Sequence, residues 1–154
     1  MADDRWTRWQ ERLAAEVATL SDVEFLVFDH EVAPEQQRWS EPRRGLFRTK
    51  PPRRLPSGFV VQFAGQGQGV VLGILGGSTL VGGHVDLTEE QDQRIRDLGW
   101  KGPGDPGHYE PYAPDYTVVD WPQSDSAGLA QITVEALAIQ GAEPDLAWTL
   151  RRDS

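Results

Sequence analysis

Apolar residues recur at helical spacing near the start of the chain. Between residues 4 and 20 they are separated by three or four positions, which places them on one stripe of an α-helix: Trp6, Trp9, Leu13, Val17 and Leu20. Two tryptophans on one stripe can bury a large area. We therefore predict a helix that covers the core, with a dimer-forming or partner-binding helix as the alternative.

Short apolar runs bounded by turn residues predict an antiparallel sheet. Five segments rich in β-branched and aromatic residues are strand candidates: 23–32, 58–64, 70–75, 78–81 and 116–121. The link Gly65-Gln66-Gly67-Gln68-Gly69 joins the second and third segments, and its glycines permit the positive φ angles of a hairpin. In the strand after Gly58, Phe59, Val61 and Phe63 share one face, and the residues between them share the other.

Capping signals predict two further helices. Thr88 opens a capping-box pattern, two glutamates follow it, and Gly99 is suited to the position after the helix ends. A last helix begins at Ser124 or Asp125 and stops at Gly141. Both helices carry apolar residues at helical spacing, so we expect both to pack on the sheet.

Three segments are predicted to hold little regular structure. Residues 34–57 contain five prolines, which cannot sustain a helix or a central strand, so we expect a long and partly disordered loop. That loop is a solvated insertion, an arm that binds an acidic partner, or a segment that folds onto the acidic surface of the protein itself. Residues 101–114 contain four prolines and are also predicted to be a loop, and residues 145–152 form a short tail element.

Composition bounds the class of protein. The 154 residues predict a single α+β domain spanning 1–154. The absence of cysteine excludes a thiol nucleophile and a cysteine zinc site, and it fits a reducing compartment. The chain opens with acidic residues and has no stretch of 18 apolar residues, so we expect a cytoplasmic protein with no signal peptide and no membrane partner.

Charge is unevenly distributed along the chain. The net charge is −9, yet residues 38–54 hold seven of the 15 basic residues and one acidic residue. The remainder carries eight basic and 23 acidic residues, which would repel phosphate. We therefore expect no nucleic-acid partner and an attraction for basic partners.

No arrangement of residues indicates catalysis. The histidines His30, His84 and His108 lie on separate elements, and His84 with Asp86 falls short of the three or four ligands that a metal needs. The glycines of the 65–69 link lead into a strand, whereas a phosphate loop leads into a helix N-terminus. No serine has a nucleophile-elbow context. We predict no catalytic residue, no metal, no cofactor and no enzymatic activity.

The order of elements around Leu98-Gly99-Trp100 resembles a known family. The resemblance rests on three features: the strand Phe59–Ala64, the LGW turn with Pro103 after it, and the helix from about residue 127 to residue 139. They resemble the family that groups type III secretion chaperones with YbjN-like proteins (TY-Chap), which is frequent in actinobacteria. The resemblance covers residues 57–140, with the first helix filling the place of the family's first helix. Members often have an asparagine in the loop where this chain has His108-Tyr109-Glu110.

The resemblance implies a twisted antiparallel sheet of about five strands packed with three helices, in the order α-β-β-β-α-β-β-α. It also implies that the protein has no catalytic residues and that it forms a homodimer, as such domains often do. Such domains are similar to chaperones that hold an extended peptide along apolar patches.

We therefore expect a chaperone- or adaptor-like module that holds an extended segment of a protein or peptide client on an apolar sheet surface. The candidate peptide-binding residues lie on the predicted hairpin and in the LGW turn: Phe59, Val61, Phe63, Val71, Leu75 and Trp100. The opposite face of the strand that carries Phe59, Val61 and Phe63 is the alternative surface, with Val60, Gln62 and Ala64 on it. An ordinary core role is the alternative for each residue. An immunity or inhibitor protein that neutralises a toxin is the alternative function, because acidic charge steers a protein to basic enzymes. A small enzyme with an unrecognised site is the third.

Overall fold

The computed structural model of the protein describes residues 3–30, 58–76, 87–109 and 115–153, together with the backbone of eight residues between 38 and 55. Three helices are present in these ranges: α1 (Thr7–Ala18), α2 (Glu89–Asp97) and α3 (Ser126–Ile139). Short 3₁₀ turns at Asp4–Trp6 and Gln123–Asp125 precede α1 and α3. The helices found there are too short or too polar to cross a membrane.

Five longer strands form one antiparallel sheet. They are β1 (Phe25–His30), β2 (Val60–Gly65), β3 (Val70–Leu75), β4 (Tyr116–Pro122) and β5 (Trp148–Asp153). Their order across the sheet is β4-β3-β2-β1-β5. The expected α+β class, with a five-stranded antiparallel sheet and three helices, is confirmed.

The C-terminal strand corrects the element order that the resemblance implied. The described elements run α-β-β-β-α-β-α-β, with one strand between α2 and α3 and a strand after α3. β5 pairs with β1 along its whole length, from Phe25 opposite Asp153 to His30 opposite Trp148. Without β5, the buried strand β1 would present unpaired backbone groups at the edge of the sheet.

Part of the predicted loop at 34–57 has paired backbone. Arg38–Trp39 pairs with Arg54–Leu55, and Arg43–Arg44 pairs with Thr49–Lys50, with the same register in both ladders. None of the five prolines falls on a paired residue, so each ladder keeps its N–H donors. The strand predicted at 78–81 lies outside the described residues.

The helices cover one face of the sheet. The stripe predicted on the first helix is buried at four of its five positions, Trp9 being partly buried, so its core-covering role is confirmed. Leu13 and Val17 of α1 lie with Leu129 and Leu137 of α3 in one core, together with the inward residues of the sheet. Closely packed apolar side chains of this kind supply most of the free energy that favours folding.

Side chains from the turn before α3 and from β5 close the C-terminal end of α1. Gln123 Nε2 donates to the carbonyls of Val17 and Leu20, at 2.9 and 2.7 Å. Arg152 on β5 donates to the carbonyl of Glu16 at 2.7 Å and to its carboxylate at 2.7 Å. The last carbonyls of a helix have no partner inside the helix, so these donors both satisfy them and fix α1 to the sheet.

The LGW turn is a junction between α2, α3 and β4. Gly99 has φ of 114°, a left-handed conformation that ends α2. Trp100 is buried, and its indole N–H donates to the carbonyl of Ile132 on α3 at 3.1 Å. Lys101 then pairs with Thr117 of β4 through two backbone hydrogen bonds of 2.7 and 2.9 Å. The motif therefore holds three elements together.

A polar network fixes α2 to the loop that follows it. Arg96 donates to Asp92 at 2.9 Å and to Asp105, whose carboxylate also accepts the backbone N–H of Gly102 at 2.8 Å. Tyr116 donates its hydroxyl to Asp92. Burial raises the pKa of Asp92, but the hydrogen bonds from Tyr116 and Arg96 outweigh it and hold that pKa below its ordinary value. Burial and the bond to Asp92 raise the pKa of the Tyr116 phenol.

Replacing Trp100 should destabilise the whole domain. We expect Trp100→Ala to lower the free energy of unfolding by about 3–5 kcal/mol, because it leaves a cavity among α2, α3 and β4. Trp100→Phe fills more of the space but loses the hydrogen bond to Ile132, so its loss should be smaller, about 1–3 kcal/mol. Urea denaturation measures both. Val23→Ala, at a residue that is 74% exposed, is the control, with an effect below about 0.5 kcal/mol. Equal stability of Trp100→Ala and the control would contradict the junction role.

The lowered pKa of Asp92 should make part of the stability depend on pH. A carboxylate with a lowered folded pKa stabilises the fold above its unfolded pKa, about 3.9 for aspartate, and this contribution is lost as the pH falls through the folded pKa. We expect Asp92→Asn to be less stable than the parent at pH 7, with the difference shrinking below about pH 4. Denaturation midpoints at several pH values measure this. A stability difference that stays constant into acid would show that the charge of Asp92 does not contribute.

Candidate functional site

The structure gathers five of the six predicted site residues in the core. Each of them is at most 1% exposed: Val61, Phe63, Val71, Leu75 and Trp100. Phe59 is partly buried at the edge of the same core, with its ring 5.5 Å from that of His30 and 6.4 Å from that of Trp148. In this arrangement the six residues support the sheet from the side of the helices. Peptide contact at these residues stays a prediction.

The alternating side chains form the opposite side of the sheet, which we call the outer face. Its positions follow from the strand register, in which Val27 lies opposite Gln62 and Gln62 lies opposite Ile74. An apolar cluster on this face combines buried Val60 and Ile74 with partly buried Val27, Leu72 and Tyr109. None of the described helices contributes a residue to that cluster. The outer face is thus the side of the sheet opposite the described helices.

One row of the outer face is apolar across four neighbouring strands. Phe25 of β1 lies opposite Ala64 of β2, Ala64 lies opposite Leu72 of β3, and Val119 of β4 completes the row. We call Phe25, Ala64, Leu72 and Val119 the apolar row. Phe25 is 42% exposed and Val119 is 41% exposed, and the two residues between them are partly exposed. Neighbouring strands are about 4.8 Å apart, so the row spans about 14 Å.

A bulge in β4 positions the end of the apolar row. The register between β3 and β4 shifts between Val71 and Gly73, so that Val119 and Asp120 together face Leu72. Asp120 has φ of 54°, a conformation that aspartate adopts more readily than most residues. The bulge therefore places an exposed carboxylate beside the exposed Val119.

On the outer face, the paired strands β1 and β5 carry a polar group. Asp29 of β1 is only 4% exposed, and its carboxylate accepts hydrogen bonds from Thr149 at 2.6 Å and from Arg151 at 2.9 Å. This pairing compensates for the cost of burying a charge. Asp153 of β5 lies opposite Phe25, in line with the apolar row.

A buried polar group connects the loop after α2 with the start of β4. His108 Nε2 lies 2.9 Å from the carbonyl oxygen of Asp115 and 3.3 Å from its Oδ1. The hydroxyl of Tyr109 donates to the same carboxylate at 2.9 Å. Since Tyr109 also packs on Val60 and Ile74, this group sets the loop against the outer face.

The described residues contain no cluster of three or more histidine, aspartate or glutamate side chains suited to hold a metal ion. His30 accepts the backbone N–H of Phe59 at 3.2 Å and packs on the ring of Trp148. His84 and Asp86, the pair considered from the sequence, lie outside the described residues. The described side chains of the outer face offer apolar contact, the amide of Gln62 and surface charge.

Five strand residues of the apolar cluster and the apolar row were not predicted as site residues: Phe25, Val27, Leu72, Ile74 and Val119. The signal that could have found them is strand alternation, because each lies next to a buried residue in its strand. Alternation separates the two faces of a strand but does not say which face is covered, because that depends on where α1 and α3 pack.

Comparison with known proteins gives one result. A family model described as T3SS (YopN, CesT) and YbjN peptide-binding chaperone 3 (TY-Chap3) matches residues 1–146. The matched range includes the three helices and β1 to β4 and ends before β5. No curated protein and no solved structure matches the chain.

Proposed function

The chain belongs to the TY-Chap3 family of peptide-binding chaperones, and from this premise we propose that it binds an extended segment of a protein client on the outer face of its sheet. The apolar row is the proposed contact surface. The six residues predicted from the sequence then act as the framework that holds this surface in shape.

The exposure of the apolar row supports this proposal. Phe25 and Val119 are two of the three large apolar residues that are more than 40% exposed in the described part of the chain, and both lie in one row. Exposed apolar residues grouped in this way mark interaction surfaces better than isolated ones do. Burying a fully exposed side chain of this size contributes about 1.5–3 kcal/mol. Phe25 is 42% exposed and Leu72 is partly exposed, so each would contribute the corresponding fraction of that free energy when a client covers it.

Gln62 supplies polar contacts next to the apolar row. It lies between Val27 and Ile74 across the strands and is partly exposed. Its side-chain amide has two donor hydrogens and an acceptor oxygen. A client backbone that crosses the outer face could therefore exchange hydrogen bonds with Gln62 while its apolar side chains cover the row.

The remaining features of the proposal follow from the family and the charge. We infer a non-enzymatic protein that works in the cytoplasm as a homodimer, since a binding role needs no reacting group. The net charge of −9 favours a basic partner. A basic partner could be a secreted client or a toxin that an immunity protein binds. The sequence of the captured partner distinguishes these two functions.

A charge introduced on the apolar row should abolish client binding. We expect an array of 12-residue peptides to give binding enriched in aliphatic sequences, and Leu72→Asp or Phe25→Asp to reduce the signal at least tenfold, because the new carboxylate would be desolvated by the peptide. Ala15→Asp, on the exposed surface of α1, is the matched control and should bind as the parent does. Circular dichroism and urea denaturation establish that each variant is folded. A folded Leu72→Asp variant that binds the same peptides equally well would reject the outer face.

The homodimer is tested separately. Light scattering at micromolar concentration should give twice the mass of the chain. A monomer mass across the concentration range would contradict the dimer without affecting the proposed binding surface.

A further inference from the structure

We propose that two copies of the chain join through β5, so that their two sheets become one. We call the side of β5 that points away from β1 the β5 edge. This inference rests on the homodimer of the proposed function and assigns the surface that forms it. The family match does not assign that surface, because it ends at residue 146 and β5 begins at Trp148.

The hydrogen-bond pattern of the sheet identifies the residues that face the β5 edge. Gly65 donates its N–H to the carbonyl of Glu24, the residue before β1. Residues of an antiparallel strand bond alternately to one neighbour and to the other, so the odd-numbered residues of β1 bond to β5. They lie opposite the odd-numbered residues of β5. The even-numbered residues Leu150 and Arg152 therefore direct their N–H and C=O groups to the β5 edge.

These four backbone groups have no backbone partner in the described part of the chain. The sheet ends at β5, and no described backbone group bonds to Leu150 or Arg152 on this side. Trp148, the remaining even-numbered residue, already donates its N–H to the carbonyl of Leu146 at 2.8 Å. An edge with unpaired backbone groups is a template for pairing with another strand.

The opposite edge of the sheet is protected against such pairing. Lys101 exchanges two backbone hydrogen bonds with Thr117 near the start of β4, and the bulge at Val119 and Asp120 interrupts the strand further on. Pro122 at its end has no N–H. Bulges and prolines prevent a further strand from adding to a sheet. β5 has an unbroken register with β1 and no proline, so the β5 edge is the side on which the sheet can grow.

The two residues at the β5 edge fit a second copy of β5. An antiparallel pair centred on Arg151 places Leu150 opposite Arg152 of the second copy, and the two-fold symmetry repeats this contact. Residues opposite each other in this way exchange two hydrogen bonds, so the four groups of each copy are all satisfied. A pair centred on Leu150 would instead need the N–H of Trp148, which is already bonded.

The charges on β5 favour a second copy over the basic client. The guanidinium of Arg151 lies 2.9 Å from the carboxylate of Asp29, and that of Arg152 lies 2.7 Å from the carboxylate of Glu16. A basic segment would meet two cations at this edge, and like charges oppose association. A second copy brings a carboxylate with each arginine, so the centre of the pair has no net charge.

This pairing would keep the two binding surfaces together. The symmetry axis of such a pair is perpendicular to the sheet, so both outer faces lie on the same side of a sheet with five strands from each copy. The apolar rows of both copies then face one client chain.

Amide hydrogen exchange measured by NMR tests the β5 edge in the unmodified protein. The amides of Leu150 and Arg152 should exchange at least about tenfold more slowly at a concentration where light scattering gives the dimer mass than at one where it gives the monomer mass. The amides of Thr149 and Arg151, which bond to β1 in both states, should change little.

A proline at the β5 edge should abolish the dimer without unfolding the chain. Proline is tolerated on an edge strand where its missing N–H would point to solvent, so Leu150→Pro should keep β5 paired with β1. It removes an N–H that the second copy needs, so light scattering should give the monomer mass. Leu150→Met keeps that N–H and is the matched control, which should give the dimer mass. Circular dichroism establishes that both variants are folded.

A disulfide tests the register of the pair. The chain has no cysteine, and position 151 lies opposite itself in the proposed pair. The Cα atoms there would be about 4.5 Å apart, within the range that a disulfide accepts. Arg151→Cys, combined with Asp29→Asn so that no buried charge is left unpaired, should form a covalent dimer on oxidation. Thr149→Cys, whose two copies would lie about 14 Å apart, should not.

The outcomes separate the β5 edge from the proposed function. A dimer in which the amides of Leu150 and Arg152 exchange as fast as in the monomer would overturn the β5 edge and leave the homodimer intact. A monomer mass at every concentration would overturn both. Protection of the two amides that appears only when a peptide is added would assign the edge to the client and overturn the second copy. Binding of peptides to the outer face is measured independently of these results.

Discussion

One-sided burial of the sheet is the constraint on which the rest of the molecule depends. In a strand, successive side chains point to opposite faces, so packing α1 and α3 against Phe28 and Val61 commits every second residue to the core. The residues between them are committed to the outer face by the same geometry. A shift of one residue in register would exchange the two sets, which is why the pairing of β1 with both β2 and β5 matters for function as well as for stability.

The motif that pointed to the family is a packing device. Trp100 bonds to α3, and the residue after it pairs with β4, so the LGW turn joins helices to sheet on the side away from the proposed binding surface. Its position was predictable because caps and turns are local: Thr88 caps α2 and Asp125 caps α3 as expected. The pairing of β5 (Trp148–Asp153) with β1 was not predictable. The two strands are about 120 residues apart in the chain, and no local pattern encodes a pairing over that distance.

The candidate site was predictable only up to the choice of face. Alternation correctly separated Val61 and Phe63 from Val60 and Gln62, and both sets lie as grouped. Both groups are largely apolar, so composition could not say which one the helices cover. The bulge that brings Val119 to the apolar row depends on the register of two strands more than 40 residues apart, which the sequence of β4 does not disclose. Sequence patterns thus predicted the three helices and four of the five long strands, and tertiary packing decides which face of the sheet the helices cover.

Methyl NMR on the valine and leucine side chains is the most direct measurement of the central claim, that a client is held on the outer face. We predict that addition of an aliphatic peptide shifts the signals of Val27, Leu72 and Val119, while Val61 and Val71 in the core keep theirs. Shifts confined to Val61 and Val71, with the outer-face signals unchanged, would contradict the account.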